Sequence, residues 1–232
     1  MLTLLLATRN AHKISEIRAI LGPTVGYLSL KDFPNAPEVI EDAATFEGNA
    51  TKKAVELAKW ITASGSIQPA IGPLSEFCVL ADDSGLEVDA LNGAPGVHSA
   101  RFAAPDTGLV GNSSDHENNA KLLRLLSHVP LERRTARFRC VLALSPLPHE
   151  QTSSSSPVCL ADESELSTEL FQGACEGRIG FAPRGQAGFG YDPLFTPDGH
   201  QQTFAELGEE TKNKLSHRAA ALAKLRARLA AL

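Results

Sequence analysis

Residues 2–21, Leu2-Thr3-Leu4-Leu5-Leu6-Ala7-Thr8-Arg9-Asn10-Ala11-His12-Lys13-Ile14-Ser15-Glu16-Ile17-Arg18-Ala19-Ile20-Leu21, decide how the chain begins to fold. Leu2 to Ala7 is a short apolar run and reads as a buried strand. Thr8 to Asn10 is a polar turn. Asn10 can cap a helix running to about Leu21, with Ile14, Ile17 and Leu21 on one face, and Gly22 and Pro23 stop it. Farther along, Asn49 to Ile61 carries a helical stripe of Ala50, Ala54, Leu57, Ala58 and Ile61. Cys78 to Ala81 is another apolar run, ending directly in Asp82 and Asp83. Asp115 to Leu126 reads as a helix with Asp115 as its cap. Phe138, Cys140, Leu142 and Leu144 share one parity, as a sheet strand requires. A further strand fits Thr168 to Ala174, and a last helix begins near Ser216 with Leu222, Leu225 and Leu229. Strands and helices are mixed, so the fold class is α/β. The sequence has no internal repeat and no linker that would divide it.

The composition narrows the function. The chain has 232 residues, 22 Lys plus Arg against 27 Asp plus Glu, and a net charge of −5. With 43% hydrophobic and 21% charged residues it is an ordinary globular chain rather than a disordered one. The acidic balance argues against a nucleic-acid coat, yet leaves room for one local phosphate pocket. No apolar run approaches the roughly 20 residues of a membrane helix, and the N-terminal run is too short for a signal peptide. The chain therefore reads as cytoplasmic. Cys78, Cys140, Cys159 and Cys175 have unrelated spacings, with neither a zinc pattern nor a disulfide framework. Residues 62–76 are rich in Gly, Pro and Ser, and residues 151–157 contain four consecutive serines, the mark of a flexible excursion.

Four segments carry candidate chemistry. The turn Thr8-Arg9-Asn10-Ala11-His12-Lys13 follows a strand and opens a helix, and a helix start with free N–H groups suits phosphate. Lys13 opposes the helix dipole there, a penalty that a bound anion would reverse, although a solvated lysine accounts for it as well. Asp82 and Asp83 place hard oxygen ligands at a strand end, where α/β sheets hold ligands and where Mg²⁺ bridges to phosphate. An Asx turn before Gly85 is the simpler alternative. Gly188-Phe189-Gly190-Tyr191-Asp192-Pro193 sets two aromatics about a glycine, either as a stacking platform for a base or as a packed turn. Lys212 precedes a helix capped by Ser216, and His217 and Arg218 fall in its first turn, again against the dipole.

Together these segments resemble the Ham1-like inosine triphosphate pyrophosphatases, also described as dITP/XTP or non-canonical purine nucleoside triphosphate pyrophosphatases. The matching stretches are LLLATRNAHKISEI, TFEGNATKKA, ADDSGLEVDALNGAPGVHSARFA, RFRCVLAL, PRGQAGFGYDPLF, TFAEL and KNKLSHRAAALAKL. The resemblance implies a single domain over 1–232: an elongated mixed sheet flanked by helices, in two lobes with a central cleft. Residues 62–76 and 146–167 are longer than the family core needs. It implies a homodimer that splits ITP, dITP and XTP into a monophosphate and pyrophosphate with Mg²⁺, while the charge balance and the lack of a long apolar run predict no nucleic-acid and no membrane partner. Carried over residue by residue, the turn from Thr8 through Arg9, Asn10, Ala11 and His12 to Lys13 would hold the triphosphate, with Lys53 near it. Asp83 would be general base and metal ligand, with Asp82 and Glu47 as further ligands. Ser84, Phe189, Gly190, Tyr191, Asp192, Lys212, His217 and Arg218 would contact substrate, and Arg218 would donate to the 6-carbonyl that adenine lacks. Two positions depart from the pattern: Arg9 stands where relatives often have glycine, and Gly48 where many have glutamate. A Maf-like pyrimidine nucleotide pyrophosphatase and a non-catalytic nucleotide sensor are the alternatives.

Overall fold

The computed structural model describes residues 1–65, 67, 76–108, 111–147 and 167–231. The serine-rich excursion at 151–157, Cys159 and most of the 62–76 and 146–167 stretches lie outside the described residues. Six strands, β1 (Thr3–Leu6), β2 (Gly26–Ser29), β3 (Phe77–Val88), β4 (Thr135–Pro146), β5 (Glu169–Ile179) and β6 (Phe195–Pro197), form a sheet in the order β2-β1-β3-β4-β5-β6. β1 pairs in parallel with β2 and β3, whereas β5 and β6 are antiparallel, so the sheet is mixed. The helices are α1 (Ala11–Leu21), α2 (Phe46–Ser64), the one-turn α3 (Ala104–Thr107), α4 (Asp115–Leu125), α5 (Phe204–Leu215) and α6 (His217–Leu229). Parallel neighbours need crossover connections, which α1 and α2 supply. By its contacts the chain forms two compact units: Met1–Asp83 with Val141–Phe171, and Ser84–Cys140 with Gln172–Leu232.

In the first unit, Leu4, Leu5 and Leu6 are all buried, as a parallel strand covered on both faces demands. α1 begins where the sequence places it and buries Ile17 and Leu21. α2 begins three residues earlier than its apolar stripe suggests, because the Thr45 hydroxyl accepts the Gly48 N–H at 3.1 Å and caps the helix there. Its stripe of Ala50, Ala54, Leu57, Ala58 and Ile61 is buried. β3 does not end at Ala81. Its register with β1 closes at Leu6–Leu80, but β4 lies on its other side, so the strand continues to Val88. Asp82 and Asp83 are therefore strand residues and not an Asx turn.

The second unit is built on Leu86, Leu122, Phe138, Ile179, Leu194, Phe195 and Phe204, with the Phe138 ring 4.7 Å from that of Phe195. β4 alternates as predicted as far as Cys140 and is then buried continuously from Val141 to Ser145. The cap of α4 is Ser114 rather than Asp115: its hydroxyl accepts the Glu117 N–H while the Glu117 carboxylate accepts the Ser114 N–H. This shift leaves the Asp115 carboxylate available for a different contact. α5 starts at a second capping box, Thr203 with Glu206. Ser216 caps α6 as expected, accepting the Ala219 N–H at 3.2 Å. Gly173 lets the first turn of α6 approach β5: a Cβ there would stand 2.1 Å from the His217 carbonyl and 2.5 Å from the Ala221 nitrogen. Arg134 is a buried structural arginine, donating to the carbonyls of Leu126, Val129 and Gly180 at 2.6–2.9 Å. Among the described residues no helix is long and apolar enough to cross a membrane.

Candidate active site

In the first unit, the parallel register brings the polar turn and the aspartates together. Leu6 lies opposite Leu80, and the Ala7 N–H donates to the Leu80 carbonyl at 2.9 Å. The segments that follow both strands therefore leave from one end of the β1–β3 pair. The Asn10 Oδ1 accepts the N–H groups of His12 (2.9 Å) and Lys13 (3.2 Å), and the Thr8 hydroxyl accepts that of Asn10. Those helix-start donors are already capped by the protein, so the Lys13 ammonium is the stronger phosphate-binding candidate. It forms an ion pair with the buried Asp82 carboxylate. Lys53 projects from α2, donates to the Asp82 carbonyl at 2.8 Å and to Glu41 Oε1 at 3.1 Å, and stands 3.8 Å from Asp83 Oδ1.

Alternation along β3 sends the two carboxylates to opposite faces. Asp82 is held by Lys13, while Asp83 is 5% exposed and its Oδ2 is buried without a hydrogen-bond partner. Burial pushes the Asp83 carboxyl up from 3.8 to about 6, against the pull of Lys53 and Lys13, and the nearby Glu41 pushes it up further. A carboxyl that titrates close to neutrality is suited to proton transfer.

Arg9 is exposed and does not stand free for a ligand: its Nη2 donates to the Ala36 carbonyl at 3.0 Å and braces that loop. Gly48 packs tightly. A Cβ there would lie 2.8 Å from that of Ala43, so the local packing leaves little room for the glutamate that the family resemblance leads one to expect at this position. Glu47 lies half-buried in the first turn of α2. Sequence reading missed Glu41, which joins the cluster only because the loop before α2 folds back on Lys53. The one available signal was the acidic Glu41-Asp42 pair shortly before that helix. No three His, Cys, Asp or Glu side chains among the described residues form a ready-made metal cage. Glu41 and the orphaned Asp83 oxygen nevertheless offer hard donors of the kind a divalent cation takes when waters and phosphate fill its other positions.

In the second unit, the turn from Gly188 to Asp192 is organised by Asp192. Its Oδ2 accepts the Phe189 N–H at 2.9 Å and the Lys212 ammonium at 2.6 Å. Gly188, with φ +78°, permits this closure, since a Cβ would stand 2.2 Å from the same oxygen. Lys212 also lies 4.5 Å from the centre of the Phe189 ring. His217 stacks on Phe138, with centroids 4.8 Å apart and planes at 12°. Arg218 is buried and donates to the Ser84 hydroxyl at 3.2 Å. Lys212 thus lies against the rings of Phe189 and Phe204, and His217 against that of Phe138, which sets polar groups among aromatic rings, an arrangement able to hold a flat heterocycle with acceptor edges. Burial pushes the Cys78 and Cys175 thiols up to about 11, which leaves neither as a nucleophile at neutral pH.

Comparison with known proteins places the chain in a family. The Ham1 family model matches residues 4–228. A protein named dITP/XTP pyrophosphatase from Desulforamulus reducens is 45% identical over 223 residues, covering 95% of this chain and 92% of its own. One of the same name from Geobacter sulfurreducens is 46% identical over 228 residues, covering 97% and 96%. The structure of a HAM1 protein from Coxiella burnetii superposes with a TM-score of 0.77 at 34% identity, covering both chains completely. The nucleoside-triphosphatase / dITP/XTP pyrophosphatase of Mycobacterium abscessus gives 0.65 at 38% identity, covering 97% of this chain and 98% of its own. The likeness extends over nearly the whole chain in both sequence and fold, and the chain belongs to the Ham1 family.

Proposed function

We propose that this protein hydrolyses non-canonical purine nucleoside triphosphates, dITP, ITP and XTP, to the nucleoside monophosphate and pyrophosphate. One observation carries the reading: a buried carboxyl titrating near neutrality, flanked by two lysines, in a chain whose close relatives are named dITP/XTP pyrophosphatases. Asp83 takes a proton from the attacking water. The water oxygen bonds to the α-phosphorus and the α–β bridging bond breaks, so pyrophosphate leaves with the bonding electrons. Lys13 and Lys53 balance the charge that develops on the phosphates. Lys13 exchanges its Asp82 partner for phosphate on binding, and Asp82 stores it in position until then. Glu41 and Asp83 are the residues that would hold Mg²⁺. When bound, the ion supplies charge withdrawal from the phosphate oxygens.

The second unit reads the base. Phe189 stacks, and the buried Arg218, which has donors only, bonds a 6-carbonyl but not the 6-amino group of adenine. A mismatched buried polar group costs about 1–3 kcal/mol per contact, so several contacts together give strong selection. The cellular reading that follows is removal of deaminated purines from the nucleotide pool by a cytoplasmic homodimer.

A substrate panel tests the proposal. The purified protein is incubated with dITP, XTP, dATP, dGTP, dTTP and UTP, with and without Mg²⁺, and the products are resolved by ion exchange. Mg²⁺-dependent monophosphate and pyrophosphate from dITP and XTP is the expected result. Turnover of pyrimidines instead, or binding of dITP without product, would overturn it in favour of the Maf-like or the sensor reading.

A further inference from the structure

The turn that carries Phe189 and Tyr191 has its middle peptide groups held by α4. Asp115, the first residue of α4, accepts the Gly190 N–H on its Oδ2 at 2.6 Å. Asn119, one helical turn later on the same face, donates its Nδ2 to the Gly190 carbonyl at 3.0 Å. Both backbone polar groups of one glycine are thus clamped by two side chains at positions i and i+4. Gly190 itself has no side chain with which to fix its place, and it sits between the two aromatic residues. Asp115 is free for this contact because Ser114, not Asp115, caps the helix. Asn119 is 9% exposed, and only its Nδ2 can donate to a carbonyl, so its amide orientation is set by the clamp.

We propose that Asp115 and Asn119 are positioning residues for base selection: they touch no substrate but fix the Phe189–Tyr191 turn against which the purine is read. The inference rests on the pyrophosphatase reading above. A rigid turn holds the base contacts in one geometry, and base selection depends on that geometry more than phosphate chemistry does. Loosening the clamp therefore weakens binding of the correct base and blurs the distinction from the wrong one, while the chemical step in the first unit proceeds.

The test compares Asp115→Ala, Asn119→Ala, Asp115→Asn and Glu117→Ala by steady-state kinetics on dITP and dATP, with melting temperatures measured alongside. Glu117→Ala removes the capping box of the same helix without touching Gly190, and so controls for loss of helix stability. Asp115→Ala and Asn119→Ala are expected to raise the KM for dITP at least tenfold, to change kcat less than threefold, and to lower the dITP-to-dATP ratio of kcat/KM at least fivefold. Asp115→Asn, which keeps an acceptor for the Gly190 N–H, should recover most of that ratio, and Glu117→Ala should keep it. Wild-type KM and ratio in both alanine variants would overturn the proposal. So would equal changes in Glu117→Ala, which would make the effect one of helix stability. Failure of the wild-type protein to split dITP would instead overturn the pyrophosphatase reading.

Discussion

Replacing Asp83 with asparagine should stabilise the metal-free protein at neutral pH while abolishing its chemistry. The folded protein holds this carboxyl at about 6, chiefly by burial, against its ordinary 3.8. Below pH 3.8 the group is protonated in both folded and unfolded chains and contributes no difference. Between 3.8 and about 6 the unfolded chain releases its proton while the folded chain keeps it. The folded state then binds more protons, so stability falls as pH rises through this window. At about 1.4 kcal/mol per pKa unit, the loss is complete above pH 6 and amounts to about 3 kcal/mol. Asparagine has nearly the same shape and cannot ionise. The variant should match the wild type near pH 4 and exceed it by up to about 3 kcal/mol at pH 8. Urea denaturation in EDTA, at intervals from about pH 4 to 8, measures the difference directly while cancelling the other titrating groups. Added Mg²⁺ should then narrow the gap, since a cation that binds only the folded wild type stabilises it by mass action. A gap that stays flat with pH, or that grows negative, would refute the claim that burial dominates at Asp83.

Other outcomes follow from single contacts. Lys212→Ala strands the buried Asp192 carboxylate and should destabilise the protein by about 3–5 kcal/mol in the same denaturation assay. Gly173→Ala drives a Cβ into the His217 carbonyl, so α6 must move; kcat/KM for dITP should fall at least tenfold while circular dichroism stays that of a folded protein. Arg218→Ala should lower the ratio of dITP to dATP turnover, and an unchanged ratio in competition assays would remove Arg218 from base selection.

The elements legible in the sequence were those whose signals are local. Asn10 before an apolar stripe marked α1, and Ser216 before a second stripe marked α6. Both predict correctly because capping and periodicity act within a few residues. β3 is longer than the apolar run Cys78 to Ala81 indicates, since its continuation past Leu80 depends on β4, a partner that begins only at Thr135. The short β2 and β6 carried no clear period and emerged only through pairing. At the site, Lys13 and Asp83 stood out as charges in unusual local settings. Glu41 and Arg134 did not, because their importance comes from tertiary packing: one meets Lys53, the other three carbonyls. Asp115 departs from its expected role for the opposite reason. A local rule made it the cap, while Ser114 satisfied the helix start and released Asp115 to hold Gly190.

The central claim is hydrolysis by attack at the α-phosphorus, and isotope placement tests it most directly. Hydrolysis of dITP in water enriched in oxygen-18, with both products analysed by mass spectrometry, locates the phosphorus that receives the water oxygen. One labelled oxygen in the monophosphate and none in the pyrophosphate is the predicted result. Label in the pyrophosphate, or release of orthophosphate in its place, would contradict the account.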